Sequence, residues 1–376
     1  MVFSTEGSGA VGALKTGSLG VSTMIAQLGL GFLLVLTTAG ASAEDKSTPK
    51  LTRFDFAETH MGTSFNTVLY TEDEATARSA SQAAFARIAA LDAILSDYQP
   101  ESELMRLCRQ AGGPPVPVSD PLFTVLARAK AVYEQSDGAF DVTVAPVVRL
   151  WRRARRDQKM PDSDRLAEAL ALVGSDKLRL NPRAKTVQLT RPRMKLDLGG
   201  LAKGYAADEA LRVLKSKGVT RALVAGAGDI VVGDPPPGRD GWTIGVAALN
   251  PGKDVPRRYV SLSNAAVSTA GDAEQFVEID GKRYAHIVDP RTGLGVVNRS
   301  NVTVFARDGL TADSLDTAIY VLGPARGLPL VESTEGAAAL IVRSSPKGEE
   351  TIESRRLGQI RPAQPMTNEK PVLSRP

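Results

Sequence analysis

Residues 196–208 read Leu-Asp-Leu-Gly-Gly-Leu-Ala-Lys-Gly-Tyr-Ala-Ala-Asp. A strand-like run (Met194, Leu196, Leu198) stops at a glycine pair, and a helix-like run begins at once. Gly199 and Gly200 let the backbone turn tightly and approach a ligand with no side chain between. The first amides of the following helix point back at the turn, which suits an anion or a phosphate. Lys203 stands one turn into the helix, where its charge reaches the same place. Asp197 precedes the turn as a hydrogen-bond acceptor. Read alone, the segment is equally an ordinary strand–turn–helix junction or a nucleotide-handling elbow.

The rest of the chain sets bounds on that choice. A length of 376 residues, 43% hydrophobic and 23% charged, suits one large globular domain or two small ones. Lys and Arg number 46 against 42 Asp and Glu, an excess too small to argue for nucleic acid. The densest basic run, Arg149 to Arg156, holds five arginines and reads as a solvated helix face, with a docking surface for an acidic partner as the alternative. Cys108 is the one cysteine, so no disulfide forms within the chain, and its helix-like setting reads as a buried structural thiol.

The first 43 residues read as a signal peptide. No charge occurs from Thr16 to Ala43, Lys15 stands just before, and Leu28 to Leu36 forms the apolar centre. Ala41-Ser42-Ala43 matches a small-x-small cleavage site, with the cut before Glu44. The apolar centre is short for a membrane span, and an uncleaved anchor is the alternative. Residues 44–50 read as a linker, 51–360 as the folded domain, and 361–376, with four prolines, as a disordered tail. The expected location is therefore outside the cytoplasm, in the periplasm or on the outer face of the membrane.

Two strands are expected around a turn at Met61-Gly62-Thr63, then a long helix over 72–95. Further helices are expected to about Gln135 from a cap near Asp120, and over 161–173, 201–217, 312–322 and 324–332. Strand-like runs lie near 177–180, 186–189, 194–198, 221–224, 242–247, 258–263, 300–306 and 337–343. The interleaving has no strict βαβ repeat, so the expected class is α+β with a mixed sheet core.

Two later segments change the odds at the elbow. Residues 284–293 read Tyr-Ala-His-Ile-Val-Asp-Pro-Arg-Thr-Gly, and 312–318 read Ala-Asp-Ser-Leu-Asp-Thr-Ala. Asp313 and Thr317 are four apart, share a helical face, and offer two hard oxygens of the kind Mg²⁺ takes. On spacing alone the pair reads first as a helix N-terminus with an early acidic residue. Together with the elbow, Met61-Gly62-Thr63 and Ser136-Asp137-Gly138-Ala139-Phe140-Asp141-Val142-Thr143, these segments resemble the ApbE family of FAD:protein FMN transferases. They run in the family's order from about residue 60 to about residue 325.

The resemblance implies a flavin-transferase fold and a Mg²⁺ site made by Asp313, Thr317 and the carbonyl of Gly200. It implies FAD contacts from Met61, Tyr98, Ala139, Phe140, Asp141, Asp197, Lys203 and the backbone of Ile287. It places His286 and Asp289 beside the FAD pyrophosphate, where a base would deprotonate an incoming hydroxyl. Sequence leaves His286, Asp289 and Asp272 all open as that base. The implied reaction is transfer of FMN from FAD to a threonine hydroxyl of an exported or membrane-bound redox protein, releasing AMP. The alternatives are Mg²⁺-dependent hydrolysis of FAD to FMN and AMP, and a non-catalytic FAD-binding protein. Two departures stand out. The family commonly has Asn-x-Gly-Gly-Asp where this chain has Ala225-Gly226-Ala227-Gly228-Asp229, and Thr-Ser-Gly where this chain has Thr269-Ala270-Gly271.

Overall fold

The computed structural model describes residues 50–246, 248, 249, 256, 258–272, 275–364 and 372–374. The signal peptide expected over 1–43 and nearly all of the linker lie outside the described residues.

Eight strands form one large sheet, and their spatial order is their chain order. They are β1 (Thr52–His60), β2 (Thr63–Thr71), β3 (Ala222–Gly226), β4 (Asp229–Val232), β5 (Ala265–Gly271), β6 (Ser300–Ala306), β7 (Ala338–Ser345) and β8 (Gly348–Glu353). Every neighbouring pair is antiparallel. The expected mixing of strand directions therefore occurs outside this sheet. Val372–Ser374 runs parallel to Trp242–Val246 in a small three-stranded sheet completed by Arg258–Leu262. The same pairing corrects the disordered tail expected over 361–376 at these three residues. Ser374 is buried and its hydroxyl donates to the carbonyl of Gly228 at 2.6 Å, a contact no hydrophobicity pattern announces.

Among the described residues seven α-helices accompany the strands: α1 (Glu74–Leu95), α2 (Glu103–Arg109), α3 (Asp120–Gln135), α4 (Ala145–Asp157), α5 (Ser163–Leu170), α6 (Ala202–Ser216) and α7 (Gly309–Ser333). Asp73 starts α1 by accepting from the amide of Thr76 at 2.8 Å, and Ala77, Ala84, Ile88, Leu91 and Leu95 form its buried stripe. In α7, Gly323 leaves helical geometry (φ 69°, ψ 174°) just before Pro324, so two helical pieces meet there, as the sequence pattern expects.

The central strands are buried on both faces. Val224 and Val231 face the helical layer with Phe65, Ile88, Leu198 and Leu315. Their neighbours Leu223, Ala225, Ile230 and Val232 face the small sheet with Trp242, Ile244 and Val260. A third cluster joins α4 and α5 to the hairpin Phe276–Ile279/Lys282–Ala285 through Val147, Trp151, Val277, Tyr284 and Val288. The indole N–H of Trp151 donates to the carbonyl of Gly293 at 2.7 Å, pinning the next short hairpin to α4.

The run 194–198 is not a strand. Met194, Leu196 and Leu198 are buried and alternate with half-buried Lys195 and Asp197, as in a strand, but no ladder partner lies alongside. The segment is an extended, buried lead into the elbow, tied by the amide of Asp197 to the carbonyl of Val142 at 2.8 Å. Alternation reports two environments; a strand also needs a neighbour.

Candidate active site

A cavity of about 990 Å³ opens between the helical layer and the α4 side of the molecule. Its volume sits at the top of the range of small-molecule sites, roughly 300–1,000 Å³. Met61, Tyr98, Ala139, Phe140, Asp141, Asp197, Gly200, Lys203, His286, Asp313 and Thr317 all line it, and so does Ile287. Of the residues expected at the site, Asp289 and the alternative base Asp272 are outside the lining.

The elbow forms one wall. The carboxylate of Asp197 accepts from the amide of Gly199 at 2.9 Å and fixes the turn. The N-cap residue of α6, Leu201, offers no side-chain oxygen to the first turn, whose Ala202 amide bonds to the Leu198 carbonyl instead. Lys203 curls back and donates to the carbonyl of Gly199 at 2.8 Å. Its ammonium also stands 3.5 Å from Asp229 and 4.0 Å from Asp313. Burial opposes that charge, but Asp313, Asp229 and Asp316 outweigh it and hold the Lys203 pKa above its ordinary value.

Helix α7 supplies the second half of this wall, and two glycines make that possible. A methyl group on Gly204 would strike the carbonyl of Gly309 and lie 2.9 Å from the Cβ of Asp313. Without side chains there, α6 and α7 approach closely, and Asp313 accepts from the amide of Gly204 at 3.0 Å. Burial and the nearby Asp229 push the Asp313 carboxyl up to about 7, against the pull of Lys203. Asp316 is held well above its ordinary value, by burial and by Asp313 and Asp229. The Ser268 hydroxyl lies 2.5 Å from both Asp229 and Asp316. One hydroxyl hydrogen serves one of the two at a time. Three buried acids thus crowd one ammonium.

That crowding, with hard oxygens on every side, fits a Mg²⁺ ion. A Cβ built on Gly200 would lie 3.1 Å from the Thr317 hydroxyl and 3.1 Å from the Phe140 ring, so only glycine leaves room between the elbow and α7. Among the described residues no three His, Cys, Asp or Glu side chains converge to enclose a metal by themselves. Asp313, Thr317 and the Gly200 carbonyl would instead make a sparse donor set, of the kind Mg²⁺ completes with phosphate oxygens and water.

The opposite wall carries His286, between the two short hairpins. Its backbone amide and its Nδ1 both meet the carbonyl of Gln275, at 3.0 and 3.1 Å. A carbonyl only accepts, so Nδ1 carries the hydrogen and Nε2 keeps a lone pair. Burial, aided by Arg155 and Lys203, lowers the imidazole pKa to about 4, so the ring is neutral at pH 7. Both other base candidates pair with an arginine, Asp272 through one oxygen only, its other oxygen being buried without a partner. Asp289 accepts from the amide, Nε and Nη2 of Arg291 at 2.8–2.9 Å and stabilises a turn. Asp272 accepts from Arg283 Nε at 2.7 Å.

The remaining expected contacts divide by role. Met61 (φ 50°) and Gly62 (φ 73°) form the tight β1–β2 turn, and the Met61 amide donates to Asp92 at 3.1 Å. Asp141 is absorbed by the fold: its oxygens accept from the amides and hydroxyls of Thr143 and Ser175 at 2.7–3.0 Å. Phe140 faces the elbow, as Gly200 requires. Ala227, at one departure from the family pattern, holds φ 53° in the β3–β4 turn that delivers Asp229. A non-glycine residue there costs on the order of 1 kcal/mol.

Residue patterns missed three members of the site. Asp229 opens the four-residue strand β4, and Ser268 sits on β5, whose small residues carry no strand signal. Arg152 was grouped with the solvated arginines, yet it faces the cavity and donates to Asp97 and Asp197 at 2.6 and 2.9 Å. It stands at i+4 from Val148 and i+8 from Val144, both cavity-lining, a relation that only the fold reveals.

A profile of the ApbE family matches residues 61–341. The FAD:protein FMN transferase of Klebsiella pneumoniae (strain 342) is 32% identical over 291 residues, covering 77% of this chain and 89% of the relative. That of Treponema pallidum (strain Nichols) is 32% identical over 308 residues, covering 78% and 85%. Among solved structures, the flavin transferase ApbE from Vibrio cholerae superposes with a TM-score of 0.74 at 27% identity, over 82% of this chain and 99% of that one. The ApbE protein of Thermotoga maritima gives a TM-score of 0.74 at 28% identity, over the same shares. The chain belongs to the ApbE family.

Proposed function

We propose that this ApbE-family enzyme transfers FMN from FAD to a threonine hydroxyl of an exported or membrane-bound redox protein, releasing AMP. The observation that carries the reading is a neutral imidazole with an open Nε2 in the same cavity as the Gly199–Gly200–Lys203 elbow. The enzyme's relatives bear the name of this reaction. The threonine target, the metal dependence and the exported acceptor are our extension, supported by the donor set and by the leader-like first 43 residues.

The chain's own residues account for each requirement. Gly199 and Gly200 allow the pyrophosphate close to the backbone, and Lys203 holds its charge. Asp313, Thr317 and the Gly200 carbonyl would hold Mg²⁺, whose chemistry there is to neutralise charge on the pyrophosphate oxygens. His286 takes the threonine proton at Nε2 while Gln275 steadies Nδ1. The threonine oxygen bonds to the phosphorus on the FMN side, and the bond from that phosphorus to the bridging oxygen of AMP breaks. Bound pyrophosphate is anionic, so it raises the His286 pKa toward the working pH.

The test is intact-mass analysis of chain 44–376 incubated with FAD, Mg²⁺ and a candidate exported redox protein. The expected result is one FMN added to the acceptor, with AMP formed in equal amount. AMP formed at the same rate without acceptor, and no mass gain, would replace this reading with FAD hydrolysis. Tight FAD binding with neither product would leave a flavin-binding protein. Secretion is tested by the N-terminus of the native protein, expected at Glu44; a full-length cytoplasmic form overturns it.

A further inference from the structure

Arg152 stands apart from its neighbours on α4. Arg149, Arg153 and Arg156 are exposed; Arg152 and Arg155 line the cavity, Arg155 donating to the Gln275 side chain at 3.0 Å and Arg152 being held at three points. One arm of the guanidinium donates to Asp97 at 2.6 Å and the other to Asp197 at 2.9 Å. Its central carbon lies 4.5 Å from the centre of the Tyr98 ring. Both carboxylates are largely withdrawn from solvent, with side-chain exposures of 15% and 13%. Two anions that close repel unless they share a cation, and a planar fork suits the task as an ammonium does not.

Tyr98 is the unusual part. It lines the cavity but is 74% exposed, the most exposed large hydrophobic side chain among the described residues. It rides on the loop 96–102 between α1 and α2, where nothing but local contacts to Ser96 is seen for its backbone. The guanidinium covers one face of the ring, and the other is open. A ring on a loop normally loses freedom when a ligand stacks on it; this one is already ordered by Arg152.

We propose that Arg152 is a positioning residue. By joining Asp97 to the elbow residue Asp197 and lying on one face of Tyr98, it holds that ring as a preformed stacking platform for a flat heteroaromatic ring of the dinucleotide. The proposal deepens the function above and rests on it in one respect, that the cavity takes FAD. FAD has two such rings, and the experiment separates them.

The test is fluorescence titration of the full mature chain with FAD, as wild type, Arg152→Ala, Arg152→Lys, Tyr98→Ala and the double variant Arg152→Ala/Tyr98→Ala. Arg152→Ala should weaken FAD about 10–100-fold, the size of one stacked ring. Arg152→Lys should recover little of the loss, because a point charge cannot reach two carboxylates and cover a ring. The double variant should bind no more than about threefold worse than Tyr98→Ala, since the two residues act as one device. Full additivity would overturn the proposal, as would an unchanged affinity in Arg152→Ala. If that variant does not fold, Asp97→Asn in the presence and absence of Tyr98→Ala asks the same question with one arm removed. Competition with FMN and with ADP identifies the ring: selective weakening of one assigns Tyr98 to that half, and equal weakening or none overturns the platform. Failure of the wild-type chain to bind FAD sinks the cavity reading itself, and is distinct from wild-type binding with a silent Arg152.

Discussion

The two walls of the cavity are built on opposite principles. The wall made by the elbow, α6, α7 and the middle of the large sheet holds charge that is almost wholly buried: Asp229 and Asp316 are 2% exposed and Asp313 is 4% exposed. Its side chains hang from long helices and from strands paired on both sides. The facing wall, from α4, the two short hairpins and the loop 96–102, carries a neutral imidazole and an exposed aromatic ring. Buried like charges relax if their frame gives way, so they need rigid supports. A ring that meets ligand and an imidazole that meets an incoming protein substrate need access, and loops provide it. The division predicts that damage to the first wall shows in metal and phosphate handling, and damage to the second in proton transfer and recognition.

The sharpest way to break this comparison is at His286, where the largest effect is expected. Nε2 has a lone pair because Nδ1 is committed to the Gln275 carbonyl. His286→Ala should slow FMN transfer by roughly 10²–10⁴, the span of a lost general base, with FAD affinity within a factor of about three. Single-turnover transfer at saturating FAD, set beside equilibrium FAD binding, reads both. A large loss of FAD binding would move His286 to the phosphate wall and erase the division.

Asp313 is the matching test on the buried wall. Asp313→Asn keeps the shape and an acceptor for the Gly204 amide but removes the charge. Transfer should fall on the order of 10²–10³, as when one preorganised electrostatic contact is lost. The concentration of Mg²⁺ giving half the maximal rate should rise at the same time. Unchanged rate and unchanged Mg²⁺ dependence would show that Asp313 serves only the α6–α7 contact. Lys203→Ala comes next in size. It removes one charge-assisted contact and should weaken FAD by about 1–3 kcal/mol, seen by titration. It also leaves Asp229, Asp313 and Asp316 without their cation, so the loss should shrink at high Mg²⁺; an identical loss at every Mg²⁺ concentration would show that Lys203 acts on FAD alone.

The sequence made the first wall far easier to read than the second. The elbow, Asp313 and Thr317 lie in short local patterns, and the spacing of a helix places the last two on one face. The helices were legible for the same reason: caps such as Asp73 and stripes such as Ala84, Ile88 and Leu91 are local. Strands depend on partners elsewhere. Residues 194–198 carry an alternating pattern with no partner, while Ala265–Gly271 is a central strand built of small residues without alternation. Arg152 was illegible because Asp97 and Asp197 are 55 and 45 residues away, and one arginine in a run of five looks like any other. The close approach of Gly204 to Gly309 was hidden similarly: each is one glycine inside or beside a helix until the other is known to face it.

The smallest expected effect concerns pH, and it tests whether the second wall keeps its imidazole neutral by burial. The folded-state pKa of His286 is lowered to about 4, mainly by desolvation. An unfolded histidine titrates near 6.5, so as pH falls the unfolded chain takes up the proton first. The contribution of this group to stability is therefore full above about pH 6.5, declines as pH drops toward about 4, and is flat below. For catalysis the sign is the same, since only the neutral ring accepts a proton. In the free enzyme the Asp313 carboxyl, pushed up to about 7, also shapes kcat/KM for FAD, so the His286 inflection near pH 4 is read from its own ring signals. The acid limb of kcat reports the FAD-bound enzyme, and the pyrophosphate charge should shift it upward. An NMR titration of the His286 ring with and without FAD gives both values directly. Inflections at one common pH near 6.5, unmoved by FAD, would mean that the ring is solvated and feels neither burial nor the phosphates across the cavity.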